Sequence, residues 1–303
     1  MVIYGLLNPD TATKTQYIRI SKAYLGEGNA LIMAQQSDSV NYADVLDVKL
    51  QRINVNGIVT QTINLQRVDT NLKEPGIFIS PYEVIYKTSN PILTDGSKYN
   101  LVVHNNQTGI TASSLTKIVG DFEYHIPSPS TQTNLDFTQL PLVTYDFFSG
   151  TNGWVYNLTI RFHYTEIKVA TSDTTSKYVD WDLGDHVTAG EENNIVYSGI
   201  YRPDLYKIVG SAVAPADTNQ VIRIIDALPL EFIFTAGTED LYTYQQVVQP
   251  SFGIVQERPL FTNIENGIGL FTSRYMKSLF KNLNGVSRAA FDTSAFTRNI
   301  HFH

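Results

Sequence analysis

The densest group of side chains able to do chemistry is Asp180-Trp-Asp182-Leu-Gly-Asp185-His186. Three carboxylates so close together could offer hard oxygen ligands to Ca²⁺. The spacing is not that of an EF-hand loop, because Gly184 falls on the fifth position, where that loop needs an oxygen ligand. Asp180, Asp182 and Asp185 therefore read first as turn acids at a solvated strand end, and second as candidate metal ligands. The neighbouring Glu191-Glu192 reads as a solvated loop. Trp154 and Trp181, in a chain with 18 tyrosines and 15 phenylalanines, are candidates for a sugar-stacking platform. In a β-rich chain such aromatics more often fill cores and edges.

Other reaction chemistries find little footing. The six histidines form no metal-binding pair on a helix, and His301 and His303 lie together only at the terminus. Gly26-Glu-Gly28 and Gly267-Ile-Gly269 are lone pairs of glycines, without the further glycines or Lys-Ser/Thr that a phosphate-cradling loop requires. There is no G-x-S-x-G elbow. Two carboxylates could be juxtaposed as in a glycan hydrolase, but nothing in the sequence selects them. No catalytic residue and no cofactor is assigned. Asn106-Gln-Thr108 and Asn157-Leu-Thr159 match the glycosylation acceptor pattern, which is common by chance.

The elements that must position these residues are mostly strands. Hydrophobic residues make up 43% of the 303 positions and charged residues 17%, the balance of a folded chain. The abundant Tyr, Thr, Val and Ile favour pleated, half-buried surfaces. The net charge of −7 lacks the basic face that nucleic acid needs, and disfavours anionic membrane surfaces. The absence of cysteine removes disulfides and thiolate chemistry. No apolar run is long enough for a transmembrane helix. Met1–Pro9 opens as a strand and lacks a charged n-region, so no intact signal peptide is expected there.

In chain order, Val2–Leu7 and Tyr17–Lys22 alternate as strands, and Ala30–Gln36 reads as a short helix capped by Asn29. Val45–Ile53 and Ile58–Arg67 form an expected hairpin. Tyr82–Lys87, Lys98–His104 and Ile110–Val119 complete a sandwich of immunoglobulin-like size. The Pro/Ser/Thr-rich Ile126–Asn134 marks a boundary, giving an Ig-like β-sandwich domain over 1–121 and a β-rich domain with short helices over 122–303. In the latter, Leu140–Phe147, Val155–Thr165, Tyr178–Leu183 and Ile222–Ala236 read as strands, the last with a kink at Pro229. Ile200–Val213 reads as a helix, and Thr238 caps another. Arg274–Asn284 fits either helix or strand, and Phe302 ends a last strand. Pro259–Arg274, with the turn dipeptide Asn266-Gly267, reads as a tight turn feeding a buried strand.

Several of these pieces together resemble a family of Bacteroidetes envelope lipoproteins, domain-of-unknown-function family 4249. They are Val2-Ile-Tyr-Gly-Leu-Leu-Asn-Pro9, Tyr17-Ile-Arg-Ile-Ser-Lys-Ala-Tyr-Leu-Gly-Glu-Gly28, Ile160-Arg-Phe-His-Tyr-Thr-Glu166 and Thr262-Asn-Ile-Glu-Asn-Gly-Ile-Gly-Leu-Phe271. The resemblance implies a protein anchored at the outer membrane through a lipid that this chain does not carry. It also implies an accessory role beside an outer-membrane transport system. It carries no catalytic residues. The expectation is a non-enzymatic envelope protein that binds a partner protein or a glycan. The alternatives are a carboxylate-dependent glycan hydrolase and a purely structural or adhesion module.

Overall fold

Alternating apolar and polar residues set the architecture of the computed structural model, which is 48% strand and 14% helix. It describes residues 1–10, 15–23, 28–88, 93–94, 96–131, 133–139, 142–215, 217–248 and 260–302. The first strands are β1 (Val2–Leu7), β2 (Tyr17–Ser21), β3 (Leu46–Ile53), β4 (Val59–Asn64), β5 (Gln66–Thr70), β6 (Glu83–Lys87), β7 (Lys98–Asn105) and β8 (Thr111–Lys117). The rest are β9 (Glu123–Ile126), β10 (Asn134–Leu135), β11 (Val143–Phe148), β12 (Val155–Lys168), β13 (Thr174–Val187), β14 (Ile195–Ile200), β15 (Val221–Gly237) and β16 (Ile268–Leu283). The helices are α1 (Ala30–Ala34), α2 (Ser37–Val40), α3 (Asp204–Ala212), α4 (Glu239–Val248) and α5 (Gly285–Thr293).

The chain divides into two compact units. The first takes Met1–Asp121, Thr151–Trp154 and Gly237–Tyr275; the second takes Phe122–Gly150, Val155–Ala236 and Met276–His303. A single cut at 121/122 therefore does not separate them. The turn and strand of 260–275, which the sequence places in the later domain, fold with the earlier unit.

In the first unit, β4-β3-β7-β8 form one antiparallel sheet. A second sheet runs β5-β6-β2-β1-β16, with β1 and β16 parallel. Every second residue points inward. Val48, Leu50, Leu101 and Val103 from one sheet share a core with Ile3, Ile18, Tyr86 and Phe271 from the other. The expected Ile58–Arg67 strand ends at Asn64, and Gln66 onward crosses to the other sheet as β5. The capping residues work as read: Asn29 Oδ1 accepts from Leu31 N at 2.9 Å, and Thr238 Oγ1 accepts from Leu241 N at 3.5 Å.

The closing stretch stitches this unit together. Asn266 has φ of +55°, and its amide donates to Thr111 O at 3.0 Å. Asn263 pairs with Phe271 as a strand residue does. Its Nδ2 donates to Phe271 O at 2.7 Å and its Oδ1 accepts from Phe271 N at 2.9 Å. Pro259 lies outside the described residues.

In the second unit, β13-β12-β15 and the later part of β16 form a long sheet, and β14-β11-β9 form a small one. Leu158, Ile160, Phe162 and Tyr164 of β12 and Leu230, Phe232 and Phe234 of β15 are buried. Phe162 stacks on Phe291 of α5 at 4.8 Å, and Tyr206 of α3 meets Phe291 edge-on at 4.9 Å. Arg274–Leu283 is strand, and Asn284 caps α5. Met276, Leu279, Phe280 and Leu283 imitate a helical stripe only because residues from both faces are counted. Met276 and Phe280 lie outward, while Leu283 is buried. β15 runs through Pro229 without a break, and Phe302 makes a parallel bridge to Arg223.

Candidate functional site

The inner alternation of β12 leaves Asn157, Thr159, Arg161, His163 and Thr165 on its other face. The register brings Tyr178 beside His163 and Asp180 beside Arg161. From β15 and β16, Glu231, Ser278 and Phe280 reach the same face, as their contacts show.

Three rings form a row there. The His163 ring lies 6.4 Å from Tyr178 and 6.0 Å from Phe280. Tyr178 is 57% exposed and Phe280 47%, so both offer apolar surface to water. The Arg161 guanidinium sits 3.9 Å from the centre of the Tyr178 ring and grips Asp180 with two hydrogen bonds, Nε to Oδ1 at 2.7 Å and Nη2 to Oδ2 at 2.9 Å. Those bonds hold the Arg161 pKa above its ordinary value. Glu231 lies beneath the row. Its Oε2 meets His163 Nε2 at 2.8 Å and its Oε1 accepts from Ser278 Oγ at 2.6 Å.

The order of these groups decides their chemistry. A serine hydrolase places the histidine between hydroxyl and carboxylate, so that the imidazole takes the hydroxyl proton. Here the carboxylate of Glu231 stands between Ser278 and His163. Both of its oxygens are occupied, as are both of Asp180's. The groups brace one another and fix the rings above them. That arrangement suits binding: flat apolar faces flanked by immobilised donors and acceptors.

The sequence-based candidates are distributed differently. Asp180 belongs to this face through Arg161. Asp182 and Asp185 share the amide of Asn157, whose Nδ2 donates to them at 2.8 and 3.0 Å. Asp182 Oδ1 also accepts from Gly184 N at 2.9 Å, at a position with φ of +84°. Asp180 thus serves Arg161, while Asp182 and Asp185 together serve Asn157 beside a register shift in the β12–β13 pair. Among the described residues no group of three or more His, Asp or Glu side chains is arranged to hold a metal ion. Trp181 pairs with Ile160 on the opposite face from Tyr178 and is half-buried. Trp154 belongs to the first unit, is half-buried, and donates its backbone N–H to Gly237 O at 2.8 Å. The two tryptophans do not form one platform. His104 contacts Thr111, His125 contacts Asp146 and His186 contacts Ser198. His303 and Gly26 lie outside the described residues.

Three pockets of about 660, 470 and 400 Å³ in the first unit have one carboxylate among their walls, Glu265. Asp136 is held below the usual carboxylate range by hydrogen bonds from Thr138, the opposite direction from a general acid.

The sequence held one signal of this face: the alternation of Val155–Thr165. Glu231 and Ser278 join it from far along the chain, and only the register aligns them. No family model matches the chain, and no curated protein is significantly similar to it.

Proposed function

We propose that this is a non-catalytic binding protein of the bacterial cell envelope, and that the open face of its long sheet takes a saccharide. The observation that carries the reading is the Tyr178–His163–Phe280 row, exposed at both ends and braced by Arg161–Asp180 and His163–Glu231–Ser278. Ring faces stack on the C–H faces of a pyranose, and the flanking charged groups exchange hydrogen bonds with its hydroxyls.

The envelope setting rests on the family resemblance, as do lipid anchoring and an accessory place beside an outer-membrane transport system. The strand order of the first unit supports the immunoglobulin-like part of that resemblance. The orders β1-β2-β6-β5 and β4-β3-β7-β8 follow the A-B-E-D and C′-C-F-G arrangement of such sandwiches. A protein partner is the second reading, favoured by β13, a 14-residue strand at the sheet edge that pairs with β12 alone among the described residues.

The test is a glycan array followed by titration of the best hits. A hit whose affinity falls at least tenfold in Tyr178→Ala or Phe280→Ala supports the reading. Hits unaffected by either change contradict it.

A further inference from the structure

A second site lies in the first unit, where α1, α2 and the segment 76–79 enclose a groove of about 470 Å³. That volume is in the range of small-molecule sites, roughly 300–1,000 Å³. Its walls include Val2, Leu31, Met33, Val40, Ile77 and Phe78. The groove is held open by the backbone: Ile79 N donates to Ala34 O at 2.8 Å, Lys22 N donates to Val40 O at 2.8 Å, and the Gln35 amide reaches Ile77 O. Leu31 is 63% exposed and Phe78 50%. Apolar surface gathered in a concavity and left facing water marks a binding site more often than scattered exposed residues do.

Among the described residues one charge lines the groove, Lys22. Its Nζ donates to Asp38 O at 2.7 Å and stands 5.6 Å from the Tyr42 ring, so the ammonium is held in place. Among the described residues no carboxylate lies within ion-pair distance of it. An apolar trough with one fixed cation complements a molecule with an aliphatic chain and a single anionic end.

We propose that this groove binds a long-chain aliphatic anion, the chain against Met33, Val40, Ile77 and Phe78 and the carboxylate or phosphate head at Lys22 Nζ. The head group could belong to a free fatty acid or to a membrane lipid, and the experiment separates the two sources.

The whole chain is titrated calorimetrically with laurate, dodecyl phosphate and dodecyltrimethylammonium, each below its micelle concentration, and with phosphatidylglycerol vesicles. The proposal expects both anions to bind and the cation to bind more weakly. Phe78→Asp weakens laurate at least tenfold. Lys22→Gln weakens it about two- to fivefold, the size of a partly exposed ion pair, and leaves the cationic amphiphile unchanged. Both side chains are on the surface, and circular dichroism confirms the fold of each variant. Capture of vesicles together with laurate binding extends the site to membrane lipid. Absence of laurate binding, equal affinity for cation and anion, or binding unchanged in both variants overturns the proposal, as does adsorption to vesicles without laurate binding.

Discussion

Gly269 of β16 lies directly against Ile3 of β1, with φ of +123° and so little space that a Cβ would overlap the Ile3 carbonyl oxygen. The contact joins residues from opposite ends of the chain in one parallel pair. Gly269→Ala combines a backbone conformation that L side chains avoid with a clash against backbone that cannot turn aside. The expected loss is about 3 kcal/mol or more of unfolding free energy. Gly57 also has a positive φ, +78°, but nothing lies within 4 Å of its added Cβ. Gly57→Ala should cost about 1–2 kcal/mol, the conformational part alone. Urea denaturation of the two variants checks the difference.

Asn263 substitutes for a strand residue opposite Phe271. Asn263→Ala leaves the Phe271 N–H and C=O without those partners, an expected loss of about 2–6 kcal/mol at about 1–3 kcal/mol per unsatisfied buried group. Asn263→Asp keeps the acceptor, but it sets a carboxylate oxygen against the Phe271 carbonyl and the Asp240 carboxylate that Asn263 Nδ2 meets at 3.0 Å, so its cost should equal or exceed that of alanine. Thermal melts of the three proteins test the order.

The Arg161–Asp180 pair is partly exposed, with 27% and 40% of the side chains accessible. Its stability contribution is therefore small, under about 1 kcal/mol. Asp180→Asn should leave the melting temperature nearly unchanged. It should still weaken saccharide binding, because Arg161 is no longer held bidentately over Tyr178. Arg161→Lys should do the same, since an ammonium neither forks nor stacks. An unchanged affinity in both variants would remove this pair from the site.

Burial raises the hydroxyl pKa of Tyr156 and of Tyr206 from 10.0 to about 12. Each phenol stays protonated in the fold while the unfolded chain already ionises. The native state thus binds more protons between about pH 10 and 12, and stability falls as pH rises through that window. Below pH 10 the contribution is fully present. Each tyrosine's share is on the order of 3 kcal/mol at most. Lys281 acts in the opposite sense: burial lowers its pKa, so its penalty is relieved as pH rises toward 10.5. Tyr156→Phe should flatten the alkaline fall in a series of denaturation curves, by no more than its own share.

Local chemistry was readable in the sequence and long-range register was not. Asn29 and Thr238 cap the helices assigned to them, because a cap depends on neighbours two or three residues away. Asn266-Gly267 makes its turn for the same reason. The alternation of β12 was plain in Val155–Thr165. By contrast, Arg274–Asn284 carries apolar residues on both faces of a strand, which imitates helical spacing, and pairing with β15 decides between the two. The helix α5 went unseen because Gly285–Thr293 has one fully buried large side chain, Phe291. The candidate face is assembled from three segments of β12–β13, β15 and β16. Each contributes ordinary polar residues that gain meaning only side by side. The tryptophans and aspartates stand out by type, yet Trp181 lies on the opposite face of β13 and Trp154 in the first unit, while Asp182 and Asp185 bond Asn157 away from the row of rings.

The central claim is that the open sheet face binds saccharide through the row of rings. The most direct measurement is chemical-shift mapping of the isotopically labelled protein during titration with the best glycan-array hit. The account predicts perturbations concentrated at Arg161, His163, Tyr178, Glu231, Ser278 and Phe280, and their disappearance in the Tyr178→Ala, Phe280→Ala double variant with the rest of the spectrum retained. Perturbations confined to other surfaces, or a titration that survives the double variant, would contradict it.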